Sequence, residues 1–431
     1  MISFRGLLLF FLGIALALAS IPLSNVFLSI LGTGIIFYVA ASAYNFSRHE
    51  GKVKIGSSRK ITPKKSQIGE PASSLLTISA NMSLPLAVED TIPAFFKKDG
   101  ETKAEFTGSG TLSYSFTSPS RGLFDIGPSK VTATDPAGLF YSEFVPDDAE
   151  EVLFYPSLAE VRKHDVQMRR RSFQQMRGIR RSIAQGAGTE FVAIRKYSSG
   201  AELRQIDWKA TARSRQLMVR TFESERKQRV VIALDCGRLM HSGKSASMLD
   251  AGINTSVLLS HIILKRGDLL GFATFSDKLE SFVKPGNSHA QFYGVLDALA
   301  RITPTQDTDF VESFRKLTAV LSKRSLIVII SSLQGDESKK VAEAVKLLKA
   351  HKHAIIIIAP FEPWFEPIEQ KDHLAHVIAE SAEEKYQKDL DAVSSAVKRF
   401  GAYVIQVGPE DIGPATLSRY AYAVNKGLAS I

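Results

Sequence analysis

The stretch from Gly188 to Arg213, GTEFVAIRKYSSGAELRQIDWKATAR, crowds together groups that could do chemistry. Glu190, Arg195, Arg204, Asp207, Lys209 and Arg213 mix both signs of charge, with Tyr197 and Trp208 among them. One use for such a set is an ion-paired network that pins an extended segment at a domain boundary, since guanidinium groups pair carboxylates in a planar, bidentate way. The other is a protein docking surface, where Trp, Tyr and Arg supply most of the binding energy. The segment has neither a helical period nor a long strand's alternation, so its residues are not explained by burial of one face.

The second candidate is Asp235, which ends the apolar run RVVIALD and precedes Cys236-Gly237-Arg238-Leu239. Ligand sites in open α/β sheets lie beyond the carboxyl ends of the strands, which is where this carboxylate stands. The chain has no GxxxxGK[ST] loop and no GxGxxG between a strand and a helix, which argues against a kinase, an ATPase or a dehydrogenase. GAGTEF at Gly186 to Phe191 opens no helical pattern, so its glycines read as turn formers. There is no GxSxG elbow, and the histidines form no HExxH-like set. Cys236 is the single cysteine, which excludes an internal disulfide and a cysteine-cluster metal site. With only His241 nearby, it reads as a small buried residue and not as a nucleophile.

The elements that would position these groups alternate between strand and helix from Val230 onward. RVVIALD, DLLGFATFSD, LIVIISS and AIIIIAP read as strands, and SMLDAGINTSVLLSHIILKRG, DFVESFRKLTAVL and ESKKVAEAVKLLKAHK as helices. Continuous β-branched runs mark strands covered on both faces, so residues 229–431 are expected to form a doubly wound, mostly parallel α/β sheet. Residues 49–158 instead show short alternating runs broken by Gly, Pro, Ser and Asp, the pattern of a β-rich, sandwich-like domain. Residues 159–228 comprise a basic linker and the central segment. In that linker Arg169, Arg170, Arg171, Arg177, Arg180 and Arg181 would attract an anionic lipid surface or nucleic acid, unless they serve only as a solvated connector. No nucleic-acid-binding motif accompanies them, so lipid is the better fit.

No charged residue occurs between Arg5 and Arg48, and the run breaks at Ile21-Pro22-Leu23-Ser24-Asn25. Residues 1–48 are therefore expected to form a transmembrane hairpin of two helices, each near the roughly 17–25 residues that span a bilayer. Basic residues before and after it place both ends in the cytoplasm, as a multi-pass protein of the cell membrane. A cleavable signal peptide ending near Ala17-Leu18-Ala19 is the alternative. At 431 residues, 45% hydrophobic, 23% charged and net charge +10, the chain reads as folded and multi-domain, with a preference for acidic partners.

RGLFDIGP, DPAGLF, FYPSL, GTEF, RKYSSG and RQIDWKATAR, taken together, resemble the DUF58 family of membrane-anchored proteins. The α/β region resembles a von Willebrand factor A domain, whose metal-ion-dependent adhesion site begins with DxSxS. That resemblance implies a Mg²⁺ site built on Asp235, Thr308 and Ser332, but Gly237 and Leu239 stand where two ligating serines belong. A near-octahedral oxygen set cannot be completed by a glycine and a leucine side chain. The family resemblance also implies an adaptor, not an enzyme, working with a MoxR-type AAA+ ATPase in assembling or remodelling protein complexes. A metal-dependent hydrolase using Asp235 and Asp309 is the competing expectation, and lipid or nucleic-acid binding through Arg169 to Arg181 is the third.

Overall fold

The computed structural model describes residues 1–23, 25–50, 52–156, 158, 185–197, 206–223, 227–243, 247–303, 307–333, 338–365 and 373–426. The chain forms two compact units, Met1–Ser157 and Leu158–Ile431.

The first unit opens with two helices, α1 (Phe4–Ala19) and α2 (Val26–Glu50). They cross closely because Gly13 and Gly32 meet: a Cβ on Gly32 would sit 2.6 Å from the Ala17 nitrogen and 2.7 Å from the Gly13 carbonyl oxygen. Small residues at the crossing are what lets two apolar helices approach backbone to backbone. The outward faces are apolar as well, with Phe27, Phe37 and Phe4 all more than three-quarters exposed. Val26–Arg48 is long and apolar enough to cross a membrane. Phe4–Ala19 has 16 residues, about 24 Å of helix, which is shorter than the full span expected for it.

Eleven strands follow: β1 (Ile55–Thr62), β2 (Lys65–Gln67), β3 (Ala72–Ala80), β4 (Pro85–Glu89), β5 (Lys97–Asp99), β6 (Lys103–Thr107), β7 (Ser109–Thr117), β8 (Gly122–Ile126), β9 (Lys130–Thr134), β10 (Tyr141–Phe144) and β11 (Glu150–Tyr155). They form sheets of order β1-β3-β7-β5, β10-β9-β4-β6 and β2-β11-β8. Strand β3 alternates between buried and exposed residues from Ala72 to Ser79, and its Leu76 and Ile78 share one cluster with Phe116 of its own sheet and with Val88, Val131 and Phe154 of the other two. One apolar cluster shared by several sheets is the construction of a sandwich. The loop DPAGLF ties it to the helices: Asp135 accepts hydrogen bonds from the Leu139 and Phe140 amides and from the Ser42 hydroxyl of α2.

Inside the sandwich, Arg59 is buried and pairs in bidentate fashion with Asp90 at 2.6 and 2.7 Å, while its Nε donates to the Asp148 carbonyl. Tyr114 donates to the same Asp90 at 2.6 Å, and burial followed by that carboxylate pushes its phenol well above the usual range.

The second unit begins with the hairpin β12 (Gln185–Lys196) and β13 (Met218–Glu223), with the short helix α3 (Trp208–Ser214) between them. Its main sheet comprises β14 (Arg229–Asp235), β15 (Leu269–Phe275), β16 (Leu279–Gly286), β17 (Leu326–Ile330), β18 (Ala354–Pro360) and β19 (Tyr403–Val407). The order is β16-β15-β14-β17-β18-β19, parallel except for the edge strand β16. Helices α4 (Met248–Lys265), α5 (His289–Ala300), α6 (Phe310–Val320), α7 (Ser338–Ala350), α8 (Glu362–Phe365), α9 (His373–Lys398) and α10 (Ile412–Asn425) complete the unit. Every residue of β17 and β18 is buried, as their unbroken β-branched runs require of strands covered on both faces. Phe310, Phe314, Leu348, Val393 and Val397 cover one face from α6, α7 and α9.

Arg59→Ala would leave Asp90 as an uncompensated buried charge and is expected to destabilise the sandwich by about 3–5 kcal/mol. Denaturant unfolding in detergent micelles checks this, and Arg59→Lys is expected to restore little because an ammonium cannot reproduce the bidentate pairing.

Candidate functional site

Asp235 is the last residue of β14, and its position follows from the register. Leu234 pairs with Ile330 of β17, so the next residues along the two strands, Asp235 and Ser331, emerge side by side. The Ser331 hydroxyl donates to Asp235 Oδ2 at 2.5 Å. On the other oxygen, Oδ1 accepts from the Thr308 hydroxyl at 2.7 Å and from the Gly237 amide at 2.8 Å. Asp235 is only 3% exposed, and burial raises its carboxyl above the usual range against the opposing pull of these three hydrogen bonds. Just beyond the hub, buried Leu333 adopts φ of 52° and directs its amide toward Ser331 Oγ at 3.4 Å. A left-handed leucine costs about 1–3 kcal/mol, so the surrounding packing must hold this turn in place.

The residues present do not fit the cation that the fold family implies. A Cβ on Gly237 would lie 2.1 Å from Thr308 Oγ1 and 3.0 Å from Asp235 Oδ1, so the threonine hydroxyl fills the space a serine would need. Leu239 is 43% exposed and brings no oxygen. Both oxygens of Asp235 already accept hydrogen bonds, which closes the ring that a metal would have to open. Among the described residues no three His, Cys, Asp or Glu side chains gather as a metal set.

Ser332, the expected third position, is buried beside Leu333, Pro360 and Phe361, and the hydroxyl on Asp235 comes from its neighbour Ser331. The apolar run ending at Ile330 could have pointed to Ser331, because register puts the first residue after each run at the same level. Asp309 has a different duty from the one expected of a second catalytic carboxylate. It caps α6, accepting from the Glu312 amide at 3.0 Å. Cys236 is buried, and its amide donates to the Phe275 carbonyl.

In the central segment, Asp207 is buried, caps α3 by accepting from the Ala210 amide at 2.9 Å, and pairs with Arg220 of β13 at 2.9 Å. Those contacts, the backbone one first, hold its carboxyl below the usual range. Arg220 was invisible to a reading confined to Gly188–Arg213, because it returns on the partner strand of the hairpin. Trp208 is 69% exposed, so it anchors nothing by burial in this unit, and Tyr197, Lys209 and Arg213 are exposed too. Arg195 lies half-buried on β12, where Glu190 is paired through its backbone with Glu223. Arg204 and the cluster Arg169, Arg170, Arg171, Arg177, Arg180 and Arg181 lie outside the described residues.

The sheet order, parallel but for one edge strand, is that of an open, doubly wound α/β domain, consistent with a von Willebrand factor A-like domain. Residues 193–403 match the family described as "Protein of unknown function DUF58". The chain is 23% identical over 246 residues to the uncharacterized protein YeaD of Bacillus subtilis (strain 168), a match covering 54% of this chain and 59% of that relative's length. It is also similar to a solved aerotolerance-related membrane protein from Bacteroides fragilis NCTC 9343, at 17% identity and a TM-score of 0.32 over 46% of this chain and 99% of that one. BatB from Bacteroides thetaiotaomicron gives 15% identity and a TM-score of 0.33, covering 45% and 99% of the two chains. The von Willebrand factor domain of the pilus tip protein Mfa5 from Porphyromonas gingivalis gives 8% and 0.30, covering 47% and 96%.

Asp235→Ala strands two hydroxyls and an amide and is expected to cost about 2–4 kcal/mol in denaturant unfolding. Asp235→Asn keeps most of the acceptors and should cost less. Because the aspartate's folded pKa is raised, its contribution is full below the unfolded value near 3.9 and falls as pH rises through the folded one. The stability advantage of wild type over Asp235→Asn is therefore expected to shrink from pH 4 towards pH 7, whereas a depressed carboxylate would make it grow. Millimolar Mg²⁺ is expected to leave the melting temperature of the wild type unchanged.

Proposed function

We propose that this is a membrane-anchored adaptor that binds other proteins through the carboxyl edge of its six-stranded sheet. The closed hub at Asp235 carries this reading, because a carboxylate saturated by Gly237, Thr308 and Ser331 serves as a rigid floor for loops and leaves no ligand position to fill. Side chains suited to docking surround that floor. Leu239 follows β14 and is 43% exposed; Trp364 follows β18 and is 47% exposed. The exposed pair Arg238–Asp307, at 3.0 Å, stands on the same rim. Exposed Trp and Arg around a fixed framework suit recognition of a protein surface, with Leu239 adding apolar area beside them.

In this reading α1 and α2 lie together in the bilayer, joined through Gly13 and Gly32, with their apolar outer faces against lipid. Both ends face the cytoplasm, with Arg5 before the pair and Arg48, Lys52 and Lys54 after it. The partner proposed from the family resemblance is a MoxR-type AAA+ ATPase. Trp208, exposed on α3, offers a second contact for the same partner.

The test is binding of a purified MoxR-type ATPase to the full chain in detergent. Leu239→Glu and Trp364→Ala are expected to weaken it by about tenfold or more, as loss of a central interface residue does. Tyr293→Ala, at an exposed position on α5, is expected to leave it unchanged. Equal binding by all four proteins would remove the carboxyl edge as the docking site.

A further inference from the structure

The opposite edge of the same sheet is built differently. Strands β14, β15, β17, β18 and β19 run parallel, so the loops entering them lie along one edge. Into β17 the chain brings Lys323 and Arg324, into β18 His351, Lys352 and His353, and into β19 Arg399. Residues 227–228 before β14 and 266–268 before β15 add Lys227 and Arg266. Among the described residues of these five entry loops the carboxylate is Asp268, and Glu225 of the β14 entry lies outside the described residues. Asp268 is buried, accepts from the Tyr420 hydroxyl at 2.7 Å and the Gln228 amide at 2.9 Å, and pairs with Arg266 at 3.5 Å, which leaves the other cations of these loops to set the charge of the edge. Lys323, Arg324, Lys352 and Arg399 are exposed.

Part of this charge has a local explanation. Lys265, Lys349 and Lys398 occupy the last turns of α4, α7 and α9, where cations complement the helix dipole. That effect fades beyond the last turn and does not account for Lys323 and Arg324, since α6 has no basic residue in its last turn. The cations also feel one another: burial, and then the Arg324 charge, holds Lys349 below the ordinary lysine range. Burial, and then His351, lowers His353 in the same way. Positive charge brought by several loops to one edge creates a local potential that favours the approach of an anionic surface.

We infer that the amino-terminal edge of this sheet is a binding face for the anionic headgroup surface of a lipid bilayer. The exposed cations Lys227, Lys323, Lys352, Arg266, Arg324 and Arg399 are spread over five loop ends and not gathered in one pocket, which suits diffuse attraction to headgroups better than shaped readout. Tyr403 and Tyr422 are 62% and 49% exposed at this edge, and Lys426 lies over the Tyr422 ring at 4.9 Å. Exposed tyrosines among cations are the composition of a membrane interface. The inference draws on the membrane hairpin proposed above, because a tethered domain meets the bilayer at high effective concentration.

The experiment places the full chain in nanodiscs with an environment-sensitive dye on Ser322→Cys, an exposed position in the β17 entry loop. Quenching by a headgroup-labelled lipid is read in phosphatidylcholine discs and in discs containing about a third phosphatidylglycerol. Quenching is expected to be several-fold stronger in the anionic discs, to fall in high salt, and to be lost in Lys323→Glu/Lys352→Glu/Arg399→Glu. Circular dichroism and an unchanged melting temperature establish that this variant is folded. Equal quenching in both discs, or in variant and wild type, overturns the proposal. So does displacement of the face from anionic discs by a micromolar single-stranded oligonucleotide, which would assign it to nucleic acid. Incorporation into neutral discs separately reports the hairpin. If the chain fails to insert, the hairpin reading falls, and the face is then judged by co-sedimentation with phosphatidylglycerol vesicles, which wild type must show and the variant must lack.

Discussion

A carboxylate buried at the end of a central strand must be given donors, and much of the carboxyl edge of this sheet follows from how Asp235 receives them. Its donors come from three separate stretches of chain, the turn at Gly237, the segment before α6 at Thr308 and the exit of β17 at Ser331. Each stretch is held at one end by a strand or helix with a buried face, so the hydrogen bonds link loops whose bases are already fixed. An unpaired buried polar group costs more than a formed hydrogen bond returns, and that asymmetry makes such a hub rigid. The same geometry determines what the edge can do. With the Thr308 hydroxyl seated where a side chain on residue 237 would point, the loops are organised by hydrogen bonds and present Leu239 and Arg238 outward.

Buried carboxylates organise loops elsewhere in the molecule by related means. Asp90 gathers Arg59 and Tyr114 in the sandwich, Asp135 closes its own loop and takes the Ser42 hydroxyl of α2, and Asp268 holds Tyr420 of α10. They differ in compensation. Asp90 has a buried guanidinium, whereas Asp235 relies on neutral donors and has its pKa raised. Hydrogen bonds from neutral groups offset only part of the cost of desolvating a charge.

Much of this was legible along the chain. The runs IIIIA and LIVII announced buried parallel strands, and the alternation in SLLTISA announced a half-buried strand of a sandwich. The loss of the two serine positions at Gly237 and Leu239 showed that the adhesion-site pattern is broken. Individual partners were harder to read. Arg220 pairs with Asp207 because a hairpin folds back, and Ser331 meets Asp235 because neighbouring strands share a register. Neither relation has a signature in local spacing. The density of charge around Trp208 suggested an anchored network, yet the indole is mostly exposed and the ion pair beside it is local.

By itself the sequence determined most helices and strands of the two units, that the main sheet is mostly parallel, and that paired apolar helices lie near residues 4–50. The strand β12, which takes in the glycines read as turn formers, and the helix α3 carried no such local signal. Hydrophobic periodicity and run length are local properties, and they act before any distant contact forms. The tertiary structure decided how the hub at Asp235 closes and where the cations of five separate loops assemble. Both depend on strand order and register, which bring together residues almost a hundred positions apart, such as Asp235 and Ser331. The adhesion-site position could be recognised from one aspartate and two missing hydroxyls. That Thr308 moves into the space left by Gly237 is a matter of packing in three dimensions.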